Sequence, residues 1–556
     1  MVQNLDSFIK KSIEPKSKAH ELAKKQREIG VAEFFSRNRH LLGFDNKRKA
    51  LLTTIKEAVD NALDACEEAN VLPEINIQLI EIKEERYKII VEDNGPGIIK
   101  QQIPKIFAKL LYGSKFHSLK QSRGQQGIGI SASVMYGQMT TGKPAKITSK
   151  IAKNQPAHYY ELHINTQKNK EEIVKSQIVE WEKDHGTKIE IDLEGHYQLG
   201  QQSVDEYLKQ TSITNPHATI IYTNPKAQQI IFPRVTEKIP KDPKETKPHP
   251  YGVELGTMLK MVQSTDARTL QSFLTKEFTR VGSGTAKRIC ENAALLPNTK
   301  PKKMSREMTD QLMNGIKETK LMNPPTDCVS PIKSELFENG LKRAINAEFY
   351  CASTRPPSVY RGNPFIIEAA IAYGGEQTSD KSIRLLRFAN RVPLIYQQSA
   401  GSIAKATIAT TWRNYGLSQS SGSLPVGPLT LAVHIASVWV PFTSESKEAV
   451  AHYPEIIKEI RLAIQECGRK LGQYVHKKKR VGDEIKKRGY IEKYIPHVAD
   501  ALIDLLSLQK SKKIEIERSL KHMLEEQRGK VESMEFKKEK NVEYDEDFAN
   551  IGKDEK

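Results

Sequence analysis

Three side chains in the stretch TTIKEAVDNALDA carry the sharpest chemistry in the sequence. Glu57, Asn61 and Asp64 stand at i, i+4 and i+7 and so share one face of a helix. A carboxylate on that face can activate a water molecule, and an amide oxygen can complete the octahedral shell of a Mg²⁺ ion already held by phosphates. Taken alone, the same spacing describes a solvated helix face. A second carboxylate, Asp93, ends the apolar run of IIVEDNGPGI and is followed by Gly95 and Gly97. Asp93 can accept a hydrogen bond from an exocyclic amine while a glycine backbone passes close to a planar base. On its own it is a turn. The third pattern, SRGQQGIGIS, sets Gly124, Gln125, Gln126, Gly127, Ile128, Gly129 and Ile130 ahead of a stretch of small and apolar residues. Amide hydrogens at such a helix start point at a phosphate, and the helix dipole favours its charge. The pattern lacks the lysine of GxxxxGK[ST] and does not follow a strand, so neither the P-loop nor the dinucleotide fingerprint fits.

These groups need elements to position them. Leu52, Ile55, Val59, Leu63 and Cys66 recur at helical spacing between Leu51 and Ala69. Residues 74–82 and 87–92 alternate as strands, and the whole of 31–232 reads as one α/β domain. The segment FPRVTEKIPKDPKETKPHPY, crowded with proline and charge, predicts a linker, and a helical block follows from Gly252 to Leu296. Beyond it, strand-like runs at 365–372 and 429–440 mix with helical ones. Tyr453, Ile456, Ile460, Ile464, Cys467, Leu471 and Tyr474 then predict a long helix ending at Lys477–Arg480, with a second helix over 484–508. The fold class is α+β, multidomain.

At 556 residues the chain exceeds the size at which single cores stop growing. Lys+Arg 86 against Asp+Glu 68 gives +18, a balance that favours a polyanionic partner through counterion release. The excess lies before Lys510, because residues 510–556 hold 12 Lys/Arg against 13 Asp/Glu. Five scattered cysteines argue against a disulfide framework or a zinc site. No apolar run approaches 18 residues and the start MVQNLDSFIKKS has no signal core, so a cytoplasmic protein without membrane contact is expected.

In order and spacing the three motifs resemble the ATPase family shared by gyrase-type topoisomerases, the 90-kilodalton heat-shock chaperone, histidine kinases and mismatch-repair MutL proteins. That resemblance implies Glu57 as general base, Asn61 as Mg²⁺ ligand, Asp93 as adenine-recognising carboxylate and Gly124 to Ile130 as phosphate loop. DHGTKIEI matches the family's late Gly-Thr motif, which implies that Thr187 helps hold the adenine side. The stretch from Val31 to Pro144, with KLLYGSKFHSLKQSRGQQGIGIS, is more closely similar to the B subunits of archaeal topoisomerase VI. Ser114 and Lys115 would then touch ATP from a lid. FTRVGSGTAKRICENAALLP resembles the family's helix-two-turns-helix module, with Arg280, Lys287 and Arg288 as candidate DNA contacts. TRPPSVYRGNPFIIEAAIAYGG and RFANRVPLIY resemble its transducer, a domain with a left-handed βαβ crossover, and VPFTSESKEAVAHYPEI places Lys447 where the family's switch lysine meets the terminal phosphate.

The resemblance implies an N-terminal strap over 1–30, an α/β-sandwich ATPase domain over 31–232, linker and inserted helix-two-turns-helix domain over 233–310, and transducer over 311–480 with its long C-terminal helix. A stalk or A-subunit contact over 481–510 and a charged, partly disordered tail over 511–556 complete it. The chain shows no tyrosine in a DNA-cleavage context and no carboxylate cluster flanked by strands. The resemblance therefore implies a separate topoisomerase VI A subunit, an A2B2 heterotetramer, ATP-dependent self-dimerisation and double-stranded DNA as substrate, in a nucleoid-associated setting. A chaperone or repair clamp on the same ATPase, or a scaffold with a decayed one, are the competing expectations.

Overall fold

The computed structural model describes residues 18–26, 29–115, 118–124, 127–444 and 447–528. Helices α1 (Lys18–Lys25) and α2 (Val31–Arg37) precede α3 (Lys47–Glu68). Asn46 caps α3, its Oδ1 accepting from the Lys49 amide at 2.8 Å. Leu51, Ile55, Val59, Leu63 and Cys66 are each at most 1% exposed, so the helical spacing becomes a buried stripe.

That stripe lies on an eight-stranded sheet. Its strands are β1 (Glu74–Lys83), β2 (Arg86–Glu92), β3 (Ala145–Lys150), β4 (Ala157–Asn165), β5 (Lys170–Val179), β6 (Gly186–Glu194), β7 (Thr219–Thr223) and β8 (Gln229–Phe232), in spatial order β5-β4-β3-β6-β2-β1-β7-β8. Only β1 and β7 run parallel. Tyr87, Ile89 and Val91 of β2 and Ile189, Ile191 and Leu193 of β6 point to the covered face, with polar residues between them. Helices α4 (Ile103–Ala108), α5 (Gly129–Thr141) and α6 (Val204–Thr214) share the apolar core with α3.

After β8 the chain holds only a 3₁₀ turn, Pro250–Gly252, before α7 (Leu255–Ser264), α8 (Leu270–Glu277), α9 (Ser283–Asn292) and α10 (Arg306–Glu318), which enclose a core of their own around Met258, Phe273, Ile289 and Leu312. Helix α11 (Ser334–Ala344) leads into the second sheet: β9 (Phe349–Thr354), β10 (Ser358–Tyr360), β11 (Asn363–Tyr373), β12 (Arg384–Ala389), β13 (Val392–Pro393) and β14 (Leu429–Ser437). Their order is β10-β11-β14-β12-β13, with β9 also on β11, and β12 and β14 are parallel, joined through α12 (Gly401–Ile408). Helices cover both faces, which explains why β11 and β14 read as unbroken apolar runs. Ala370, Ala372 and Ala432 meet Phe337 and Leu341 of α11, whereas Ile367, Ile371 and Val433 meet Ile456, Ile460 and Ile464 of α13 (Pro454–Leu505).

The helix α13 corrects the sequence expectation of two helices. It is one unbroken element of 52 residues. The glycine at the expected break, Gly482, is one of four within α13, and each costs a helix only about 1 kcal/mol without ending it. Past the sheet, Ile495, Ala499 and Ile503 are buried, and α14 (Lys513–Arg528) folds back along α13 with Lys513 on Asp500 (2.5 Å) and Arg488 on Glu525 (3.7 Å). All five cysteines are buried and free. No helix among the described residues is long and apolar enough to cross a membrane.

Candidate functional site

A cavity of about 660 Å³ opens between α3, the end of β2, the loop before α5 and an arm of the second sheet domain. Of the residues singled out in the sequence, Glu57, Asn61, Asp93, Gly97, Ser114, Lys115, Gly124, Gly127, Ile128, Gly129, Ile130, Thr187 and Lys447 all border it. Gly95 stands behind Asp93 instead, Gln125 and Gln126 lie outside the described residues, and Arg280, Lys287 and Arg288 sit on or beside α9, away from the cavity.

Asp93 forms one end. Its Oδ1 accepts from the Gly95 amide at 2.8 Å and the Thr187 amide at 3.1 Å. Burial, only partly opposed by those two amides, pushes its carboxyl up to about 6. Two glycines make the approach possible. Gly97 has φ +70° and a Cβ there would lie 2.1 Å from the Lys150 carbonyl oxygen. Gly186, at φ +140°, would drive a Cβ to 2.2 Å from the Asp93 carbonyl oxygen.

At the other end Glu57 lies against the first turn of α5. A Cβ on Gly129 would fall 1.8 Å from Glu57 Oε2, so a larger residue there would displace the carboxylate from this helix start. Asn61 is exposed to the cavity. Lys447 reaches in from a tight loop closed by the Thr443 amide on the Ala449 carbonyl and the Ala451 amide on the Pro441 carbonyl. Its Nζ donates to the Arg123 carbonyl at 3.2 Å, and burial lowers its ammonium although Glu57 opposes this. Lys447 thus precedes α13 by seven positions, in the loop closed by the Phe442–Val450 bridge.

Asp64 borders the cavity as well, but its carboxylate is engaged in an ion-pair network. It is buried and accepts from Lys115 Nζ at 2.7 Å and Arg123 Nη1 at 2.6 Å. Burial raises its carboxyl, but Lys115 and Arg123 together hold it below the ordinary range. Lys115 also pairs with Glu68 at 3.0 Å, which pins its own segment to α3.

Sequence reasoning missed the centre of this network. The guanidinium of Arg123, 4% exposed, binds Asp64, Glu67 and the Asn215 side chain at 2.5–2.9 Å. Glu67 further meets His217 at 2.8 Å and Arg391, from the second sheet domain, at 3.7 Å. Burial would raise the Glu67 carboxyl; Arg123, His217 and Arg391 hold it well down instead. Asn390 Nδ2 donates to the Ser122 carbonyl at 3.0 Å, so the segment before Gly124 is fastened to both domains. Lys49 and Glu448 (2.5 Å) add a second bridge across the cavity rim. The only available signal was the arginine in SRG beside the glycine loop, since its partners lie 56–92 positions away.

The family model of "Histidine kinase-, DNA gyrase B-, and HSP90-like ATPase" matches residues 50–195, and that of "Topoisomerase VI B subunit, transducer" matches 324–487. The chain is 50% identical over 489 residues to the B subunit of type 2 DNA topoisomerase 6 from Methanococcoides burtonii, covering 88% of this chain and 79% of that one. The chain belongs to the family of topoisomerase 6 B subunits. The B subunit from Methanosarcina barkeri is likewise 50% identical over 88% of this chain and 79% of its own length, and that of Archaeoglobus fulgidus is 48% identical over 87% and 80%. As a topoisomerase 6 B subunit, the chain carries the ATPase of an ATP-dependent type II DNA topoisomerase, and the clamp and scaffold readings fall away. The transducer match spans the second sheet and about the first two thirds of α13, so Lys447 belongs to the transducer and Glu57, Asn61 and Asp93 to the ATPase.

Proposed function

We propose that the cavity takes ATP and that its capture closes a gate on a DNA duplex. Asp93 and Thr187 receive the adenine, while Gly124 and 127–130, with Gln125 and Gln126 between them, wrap the phosphates at the start of α5. Glu57 is the general base that takes a proton from the attacking water, and Lys447 meets the terminal phosphate as a point charge. Ser114 and Lys115 close over the nucleotide. Among the described residues no cluster of His, Cys, Asp and Glu could hold a metal ion. A lone amide oxygen suits Mg²⁺, which keeps phosphate and water oxygens as its other ligands, so Asn61 is the residue that would hold it. Bound there, the ion would neutralise phosphate charge.

One observation carries this reading. Glu57, Asn61 and Asp93 from the ATPase domain and Lys447 from the transducer face one cavity, so a single ligand can bridge the two domains. In the wider assembly a separate A subunit cuts and rejoins DNA, two A and two B chains form the enzyme, and two B chains dimerise on ATP through the 1–30 strap, of which residues 1–17, 27 and 28 lie outside the described residues. The domain divisions are those given above (ATPase 31–232, linker and helical module 233–310, transducer 311–480, stalk 481–510 and tail 511–556, whose residues from 529 onward also lie outside the described ones), except that the helical module runs on to Glu318, because Leu312 and Ile316 of α10 lie in its core. Exposed Tyr490, Tyr494 and Leu505 on the far half of α13 suit the A-subunit contact. In the helical module, a Cβ at Gly282 or Gly284 would meet nothing within 4 Å, so packing does not demand these glycines, which suits a surface offered to DNA by Arg280, Lys287 and Arg288. The place of action is the nucleoid.

Two assays test this. Glu57→Ala should bind ATP and dimerise yet lose turnover by about 100- to 10,000-fold; normal steady-state turnover removes the base assignment. Supercoiled DNA with ATP and Mg²⁺ should relax only when this chain and an A subunit are both present.

A further inference from the structure

Ser149 of β3 neither borders the cavity nor belongs to any motif above, yet it is fully buried directly behind Thr187. Three groups lie within hydrogen-bond distance of its Oγ: the Ile98 amide at 2.8 Å, the Gly186 carbonyl oxygen at 3.1 Å and Thr187 Oγ1 at 3.0 Å. A hydroxyl has one hydrogen and two lone pairs. The Ile98 amide can only donate, so it occupies one lone pair. The Gly186 carbonyl can only accept, so the Ser149 hydrogen goes there. Thr187 must then turn its own hydrogen back onto the remaining lone pair of Ser149. The opposite arrangement would set two oxygen lone pairs against each other at 3.1 Å in a buried site, where an unmet acceptor is costly.

The consequence reaches the cavity. Thr187 borders the cavity, and with its hydrogen committed to Ser149 its Oγ1 has lone pairs only to offer a ligand; Asp93, ionised, is an acceptor only, its Oδ1 already engaged by two amides. This end of the cavity therefore offers acceptors and no hydroxyl donor.

We propose that Ser149 is a positioning residue for base choice: by fixing the direction of the Thr187 hydroxyl, it makes the wall admit a purine that carries an amine and reject one that carries a carbonyl at the same edge. The proposal rests on the reading of the cavity as a nucleotide site.

The test compares dissociation constants of ATP and of inosine triphosphate, in which a carbonyl replaces the amine, by calorimetry on the full-length chain. Releasing the Thr187 hydroxyl in Ser149→Ala should narrow the preference for ATP about tenfold, the worth of one hydrogen bond. Ser149→Thr, which keeps the hydroxyl, should restore it. Thr187→Val should narrow the preference as well, and Ser149→Ala should add nothing in that background. An equal loss of affinity for both nucleotides in Ser149→Ala, the mark of a merely structural role, overturns the proposal. Should that variant fail to fold because Ile98 and Gly186 lose their partner, Thr187→Val decides alone: an unchanged preference overturns the proposal. Wild-type binding of ATP with no preference over inosine triphosphate overturns this inference and leaves the nucleotide site standing, whereas no uptake of ATP overturns both.

Discussion

Asp93 is the residue at which function and stability pull apart most clearly. Burial raises its carboxyl from an ordinary 3.8 to about 6. An acid whose folded value is raised adds stability at low pH, below its unfolded value, and loses that contribution as pH rises through the folded one. The difference of about two units corresponds to roughly 3 kcal/mol held against the empty protein at neutral pH, as an upper bound. Asp93→Asn removes the charge while keeping an oxygen for the Gly95 and Thr187 amides. Thermal unfolding of the ATPase domain without nucleotide should therefore show a higher Tm for the variant at pH 7.5, by up to about 6–12 °C at roughly 2–4 °C per kcal/mol for a domain of this size. The gap should close between pH 6 and 4. Nucleotide should reverse the order, because the asparagine amide turns a donor toward the adenine amine. Equal or lower stability of the variant at pH 7.5, or a gap indifferent to pH, refutes the reasoning. Wild-type affinity for ATP should also fall about tenfold per unit once pH drops below 6.

Other substitutions test other regions of the site. Gly129→Ala forces a methyl onto Glu57, and turnover should fall at least about tenfold, more than ATP affinity does, in a steady-state ATPase assay. Lys447→Ala should lower ATPase by about 10- to 100-fold and abolish its stimulation by DNA, measured with and without supercoiled plasmid. Arg123→Met leaves Asp64 and Glu67 buried with less counter-charge, and denaturant unfolding should show a loss of about 3–5 kcal/mol.

What could be read from the sequence was local. The stripe of α3, the turn after β2 and the glycines before α5 each declare themselves within a dozen residues, because helix period, strand alternation and glycine placement are short-range demands. The role of Asp64 was not legible. Its spacing puts it on the face of Glu57 and Asn61, but its partners Lys115 and Arg123 stand 51 and 59 positions away, and no periodicity announces an ion pair closed by tertiary folding. The same applies to Glu368 and His434, a fully buried pair 2.8 Å apart across β11 and β14 that looks, in sequence, like two polar breaks in apolar strands. The Arg391 amide donates to His434 Nε2 at 2.9 Å, so the imidazole carries its hydrogen on Nδ1 toward Glu368, and burial keeps it neutral. Lys447 was readable only through family resemblance, since it meets Arg123 across 324 positions. The continuity of α13 was hidden by a basic cluster and one glycine, which together look like a helix end.

The length of α13 has a mechanical consequence. Its first five turns are clamped to the second sheet through residues such as Ile456, Ile464 and Leu471, while the roughly 30 residues beyond Tyr474 extend about 45 Å at ~1.5 Å each. Tilting the clamped end by about 10° sweeps the free tip through roughly 8 Å, by the geometry of a rigid rod of that reach. A shift of only an ångström or two at the clamped end is thereby geared up, several-fold, into a stroke wide enough to separate a pair of protein surfaces.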